Sequence, residues 1–162
     1  MAKSKKIGQK NCPKGKWIPE NKLPERSIPI TQDPDAYYSK NPSWCFNSCD
    51  EEHWMLDKST AGDLFWVSLL PRMKELEKLT WKEILLDAKK ENHSINVSDL
   101  QKDAQKRLEQ KYIEADSIIS LRIQGAHRLY GYMNGAVFCI LWYDTNHGDN
   151  NGCVCRSMLK HT

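Results

Sequence analysis

The chain has 162 residues, 40% of them hydrophobic and 28% charged, a balance that excludes a disordered polymer and suits one globular domain with a tail. Its apolar runs, such as Ala136–Tyr143, are too short to span a bilayer, and no apolar core follows the basic start from Met1 to Lys6. No membrane contact is therefore expected, and six cysteines without a secretory signal point to a reducing cytoplasm. The net charge of +3 hides a division: nine Lys/Arg against four Asp/Glu in residues 1–42, eleven against fifteen in 43–117, and four against two in 118–162. A basic arm and a basic end permit contact with a polyanion.

Six of the seven prolines fall within the first 42 residues, and each removes a donor and extends its neighbour. Residues 1–42 are read as a basic, Pro-rich arm, disordered to about residue 15, with Trp17, Ile18, Leu23, Ile28, Ile30, Tyr37 and Tyr38 as anchors along the domain. Asn41-Pro42-Ser43-Trp44 reads as a turn that inserts Trp44 into the core. The rest, 43–162, reads as a single domain.

Its first half is helical, over about residues 60–112. Thr60 and Asp63 offer a cap before Leu64, Phe65, Leu69, Met73 and Leu76, with Pro71 kinking or splitting that run. Thr80 and Glu83 form a capping box ahead of Ile84, Leu85 and Ala88, and Asn92 is a stop. Ser98 and Gln101 open a third segment with Leu100, Ala104 and Leu108 on one stripe.

The period changes over about 118–144. Ile119, Leu121 and Ile123 alternate with polar residues, and Asn134-Gly135 separates two further alternating runs, the signature of a hairpin on a type I′ turn. That turn predicts Met133 opposite Ala136, Gly131 opposite Phe138, Leu129 opposite Ile140 and His127 opposite Trp142, all on the core face. The other face then carries Arg122, Arg128, Tyr130, Tyr132, Val137, Cys139, Leu141 and Tyr143. Either this face is open, with arginines for phosphates and tyrosines for bases, or a further element covers it and the tyrosines are core. The fold class is α+β: about three helices packed on a twisted antiparallel sheet of three or more strands, with the Pro-rich arm outside.

Helices followed by this meander, with Ser120-Leu121-Arg122-Ile123, then His127 to Tyr132, then Val137 to Trp142 closing on Asp144 and His147, resemble the RelE/ParE-like toxins of bacterial toxin–antitoxin pairs. The pattern spans about 30 residues closely and about 90 loosely. A proline-rich arm stands where those toxins begin with a strand, and Lys160 and His161 stand where they end on a Tyr or Lys. The resemblance implies a small cytoplasmic ribonuclease that cleaves mRNA, often on the ribosome, and is restrained by an antitoxin.

Metal-independent RNA cleavage needs a base for the 2′-hydroxyl, cations for the phosphorane and an acid for the leaving oxygen. Arg122 and Arg128 are the candidate phosphate clamps, Tyr130 an orienting or stacking group, and His147 and His161 the acid and base, with Asp144 available to orient a histidine. The alternative is a non-catalytic module that binds nucleic acid or protein through the same Arg/Tyr face. No cofactor is required, although Cys45, Cys49 and His53, or Cys153, Cys155 and His161, offer partial zinc-ligand sets at unfamiliar spacings. Cys139 reads as core and Cys12 as part of the tail. The nucleotide-loop, nucleophile-elbow and His-Glu-x-x-His motifs are missing from the sequence.

Overall fold

The structure, a computed structural model, describes residues 34–149 and 152–155. Most of the expected arm lies outside the described residues, as do Cys12, Lys160 and His161. The described part is α+β, built on a five-stranded mixed sheet in the order β1-β5-β4-β3-β2. Its strands are β1 (Ser43–Cys45), β2 (His93–Asn96), β3 (Ser117–Gln124), β4 (His127–Asn134) and β5 (Val137–Asp144). The meander β3–β4–β5 is the antiparallel centre that the alternation predicts. The sheet is nonetheless not all antiparallel, because β1 runs parallel to β5 at one edge. At the other edge β2 pairs antiparallel with β3. Both edge strands are too short to show an alternating pattern, and they exist by pairing with a stronger neighbour. Trp44 accordingly lies in a strand rather than a turn, half-buried edge-on to Trp81 and Phe138.

Helical segments cover one face of the sheet. A one-turn helix, α1 (Pro34–Tyr37), precedes β1. A π-helical stretch, Phe65–Leu69, runs straight into α2 (Leu70–Leu76). Pro71 has no N–H to offer the carbonyl of Val67, and the preceding Leu70 N–H reaches back five residues to Phe65. The proline thus widens the helix and neither ends nor splits it. The expected cap at Thr60 moves back one turn, since Asp57 accepts from both the Thr60 amide and the Ser59 hydroxyl. The second box forms as read: the Thr80 amide donates to Glu83 at 2.7 Å, and the Glu83 amide to Thr80 Oγ1 at 3.4 Å. The turn it opens is mostly π-helical, over Glu83–Asp87. Leu69, Met73, Leu76, Trp81 and Ile84 then pack on Leu121, Leu129, Met133, Phe138, Ile140 and Tyr143.

The opposite face is covered as well. Helix α3 (Lys102–Gln110) starts after Gln101, four residues beyond a single 3₁₀ turn at Val97, and Ser98 does not cap it. Leu100, Ala104 and Leu108, together with Val154 and Cys155 of the returning chain, close over Ile118, Tyr130, Leu141 and Trp142. Two packed layers around one sheet leave little of it facing water.

The hairpin register departs from expectation in two ways. Asn134 pairs with Val137, so Gly135 and Ala136 form the turn, and of the two only Gly135 has positive φ, at 60°. Glycine first in a two-residue turn is the II′ pattern. Met133 consequently faces Phe138, and Gly131 faces Ile140. An extra residue, Leu141, then bulges from β5, and beyond it Tyr130 faces Trp142 while Leu129 faces Tyr143. The bulge sends Trp142 to the α3 side and Tyr143 to the α2 side, the reverse of the predicted faces. Its cause is non-local: the Leu141 carbonyl accepts from the amide of Asp50, which follows β1.

Candidate functional site

Cross-strand neighbours share a face, so the register defines two rows on the α3 side of the sheet. One row is His93, Ser120, Tyr130 and Trp142; the next is Arg122, Arg128 and Asp144. The second row lies at the end of the sheet where the β3–β4 turn and the loop after β5 meet. That loop folds back: the Asn146 amide donates to Asp144 Oδ1 at 2.8 Å, and the His147 amide to the Ala126 carbonyl at 3.2 Å. The imidazole of His147 is thereby carried over the first row, where its Nδ1 meets the Tyr130 hydroxyl at 3.1 Å.

Four of the five predicted site residues are therefore gathered at one end of one face: Arg122, Arg128, Tyr130 and His147. The fifth, His161, lies outside the described residues. Tyr130 is 0% exposed, so it cannot stack on a base. Its hydroxyl touches His147 and, at 3.4 Å, Cys155 Sγ. Burial drives its ionisation far above the usual range, so the phenol stays protonated and orients the His147 ring at any working pH.

Of the two readings of this face the covered one holds for its tyrosines, and among the described residues it offers no tyrosine platform. Tyr132 is held by Ser48 at 3.0 Å, and the bulge has moved Tyr143 to the opposite side, where its hydroxyl meets His127 Nδ1 at 2.7 Å. The face is covered at its centre and approachable at its arginine end.

Electrostatics at that end favour an anion. Arg122 and Arg128 stand directly opposite each other on adjacent strands, an arrangement that costs energy unless something negative lies between or near them. Arg122 is 43% exposed and has one loose partner, Glu91 at 3.7 Å. Arg128 is half-buried and donates to the carbonyls of Gly125 and His127; among the described residues no carboxylate lies within ion-pair distance of it. Desolvation and then the Arg122 charge lower its pKa, from a starting point high enough that it remains a cation. Asp144, its neighbour on β5, spends its oxygens on the amides of Asn146 and Val154, and burial raises its pKa despite those bonds.

Both histidines near the arginines are shifted the same way. Desolvation, then the Arg128 charge, lowers the pKa of His147 and of His93. Each is therefore mainly a neutral imidazole near pH 7, able to accept a proton. His93 was not legible as a site residue, because a four-residue edge strand gives no periodic signal. Its one sequence clue is an imidazole immediately after Asn92, whose buried side chain bridges Ile84 and the Arg122 amide.

The cysteines form two separate groups. Cys45 stands opposite Cys139 across β1 and β5, with Cys49 close by. Cys153 donates to the Cys155 carbonyl beside Tyr130. His53 lies against Trp54. Among the described residues no three metal-ligating side chains converge. No helix among them is long and apolar enough to cross a membrane. No family model, curated protein or solved structure matches this chain.

Proposed function

We propose that this chain is a RelE-like toxin ribonuclease, acting in the cytoplasm on mRNA, with the ribosome as its workplace and an antitoxin protein as its restraint. The observation that carries the reading is the Arg122–Arg128 pair, one member lacking a carboxylate partner among the described residues, beside an imidazole fixed by a buried phenol. Arginines bind a phosphodiester through a planar fork and stabilise the charge of the pentacovalent phosphorane. Neutral His147 takes the proton of the 2′-hydroxyl, so that O2′ attacks phosphorus. Tyr130 positions His147 and does not itself touch RNA.

The test is induced expression of the chain beside Arg128→Ala and His147→Ala, following growth, translation and mRNA integrity, with the purified proteins assayed on RNA. The expected result is arrest with cut mRNA, relieved about 10²-fold or more by either substitution, the scale of one acid–base or oxyanion group. Full activity in Arg128→Ala refutes the mechanism. RNA binding that falls steeply with salt, without any cleavage, identifies the same surface as a non-catalytic binding module.

A further inference from the structure

A single base cannot complete this cleavage, because the departing 5′-oxygen also needs a proton. Among the described residues, the row containing Tyr130 supplies a second imidazole. His93 on β2 is opposite Ser120, and Ser120 is opposite Tyr130, whose hydroxyl holds His147. The residue between them is small and fully buried, so two imidazoles share one face with only a serine and a tyrosine row-mate in between. The adjoining row is Arg122 and Arg128, so the phosphate clamp and both imidazoles lie on neighbouring rows of one surface. His93 itself reaches solvent at the sheet edge, where a leaving strand of RNA has room to depart.

We infer that His93 is the general acid of this site, donating its proton to the leaving 5′-oxygen while His147 accepts the proton of the 2′-hydroxyl. The inference rests on the ribonuclease reading. In the step, the O2′–P bond forms as the P–O5′ bond breaks. One proton passes from O2′ to His147 and another from His93 to O5′. The products are a 2′,3′-cyclic phosphate and a 5′-hydroxyl, and exchange with water restores both rings. No oxidant, metal or second substrate is needed to balance it.

The charged groups around His93 set its pH dependence. Arg128 faces it from β4 and disfavours its protonation, while His147 in the loop after β5 is itself shifted down by desolvation, by Arg128 and by the charge of His93. Glu91, two residues upstream, is engaged by Arg72 and Arg122. Desolvation and Arg128 together lower the pKa of each imidazole, so the bell of kcat/KM against pH is centred on the acid side of neutrality. A bound phosphodiester offsets the Arg128 charge and favours the protonated His93 that the step requires.

The experiment compares the full chain with His93→Ala and His93→Gln on two RNA oligonucleotides, one ordinary and one with sulfur in place of the bridging 5′-oxygen. A thiolate leaves without a proton. Expected are a loss of about 10²-fold or more on the ordinary RNA in both variants, recovery to within a few-fold of wild type on the sulfur substrate, and disappearance of the alkaline limb of the pH profile. Circular dichroism accompanies each variant. Unchanged cleavage in His93→Ala, or a loss that the sulfur substrate does not relieve, overturns the assignment and leaves the ribonuclease reading standing. Failure of the wild-type chain to cut either RNA overturns both.

Discussion

Asp50 is the group whose removal tests the packing argument most sharply. Its side chain is 0% exposed, yet it stays ionised because five donors surround it. Arg107 Nε reaches Oδ2 at 2.9 Å and Arg107 Nη2 reaches Oδ1 at 2.8 Å, a bidentate pair. The indole of Trp142 adds a third bond at 3.1 Å, and the amides of Glu52 and His53 complete the set. Asp50→Asn keeps the shape but replaces one acceptor with a donor facing donors. Breaking a buried pair from one side costs about 3–5 kcal/mol. Arg107 is 14% exposed and keeps Glu52 at 2.8 Å, which argues for the lower half of that range. For a chain of this size such a loss lowers the melting temperature by roughly 10 °C. Urea melts followed by circular dichroism read it directly, with Glu52→Gln as the control, since that exposed partner is worth less than about 1 kcal/mol.

The same carboxylate gives a pH signature. Burial alone pushes the Asp50 pKa up, but Arg107, the two amides and Trp142 outweigh it and hold the carboxyl well below the usual range. A depressed pKa contributes stability that is present above the unfolded value, about 4, and lost as pH falls toward the folded one. Wild type therefore loses this contribution below about pH 4, and Asp50→Asn has none to lose there. A variant within 1 kcal/mol of wild type at neutral pH, with an unchanged acid limb, refutes the reasoning.

Two further substitutions probe the fold. A Cβ on Gly131 would collide with the Cys139 carbonyl and lie 2.6 Å from the Phe138 ring. Gly131→Ala is expected to cost at least about 1–3 kcal/mol, because backbone on the neighbouring strand must move, and a denaturation midpoint equal to wild type would show the strands to be looser than described. Thr80→Ala removes the hydroxyl half of the capping box at an expected cost of about 1 kcal/mol. A combined Thr80→Ala, Glu83→Ala protein less destabilised than the sum of the singles would report their coupling, and strict additivity would deny it.

What could be read from sequence divides along physical lines. The β3–β4–β5 meander was legible because each strand is eight residues long, β3 with alternating polarity and β5 a nearly continuous apolar run set off from β4 by Asn134-Gly135, and the Thr80–Glu83 box because its bonds are local. The shared location of Arg122, Arg128 and Tyr130 followed from that alternation alone. Strands β1 and β2 were not legible, and with β2 went His93, because three or four residues carry no period and their partners lie far away in sequence. The bulge at Leu141 was equally hidden: it depends on the amide of Asp50, and it decides which face Trp142 and Tyr143 occupy. The π-helical widening before Pro71 had a visible cause, but proline also permits a break, and only packing of Leu69 and Met73 against the sheet selects continuity.

The parallel pairing of β1 with β5 has a consequence in time. Ser43 meets Val137 across about ninety residues of intervening chain, a non-local contact of the kind that forms late in folding. During synthesis at about 5–20 residues per second, β1 waits on the order of 5–20 s before its partner has been made. His93, Arg122 and Arg128 are all translated before β5, yet the loop that brings His147 to Tyr130 begins only where β5 ends. A growing chain therefore carries the arginines before the imidazole that joins them, and this surface becomes complete only once the loop after β5 has been made.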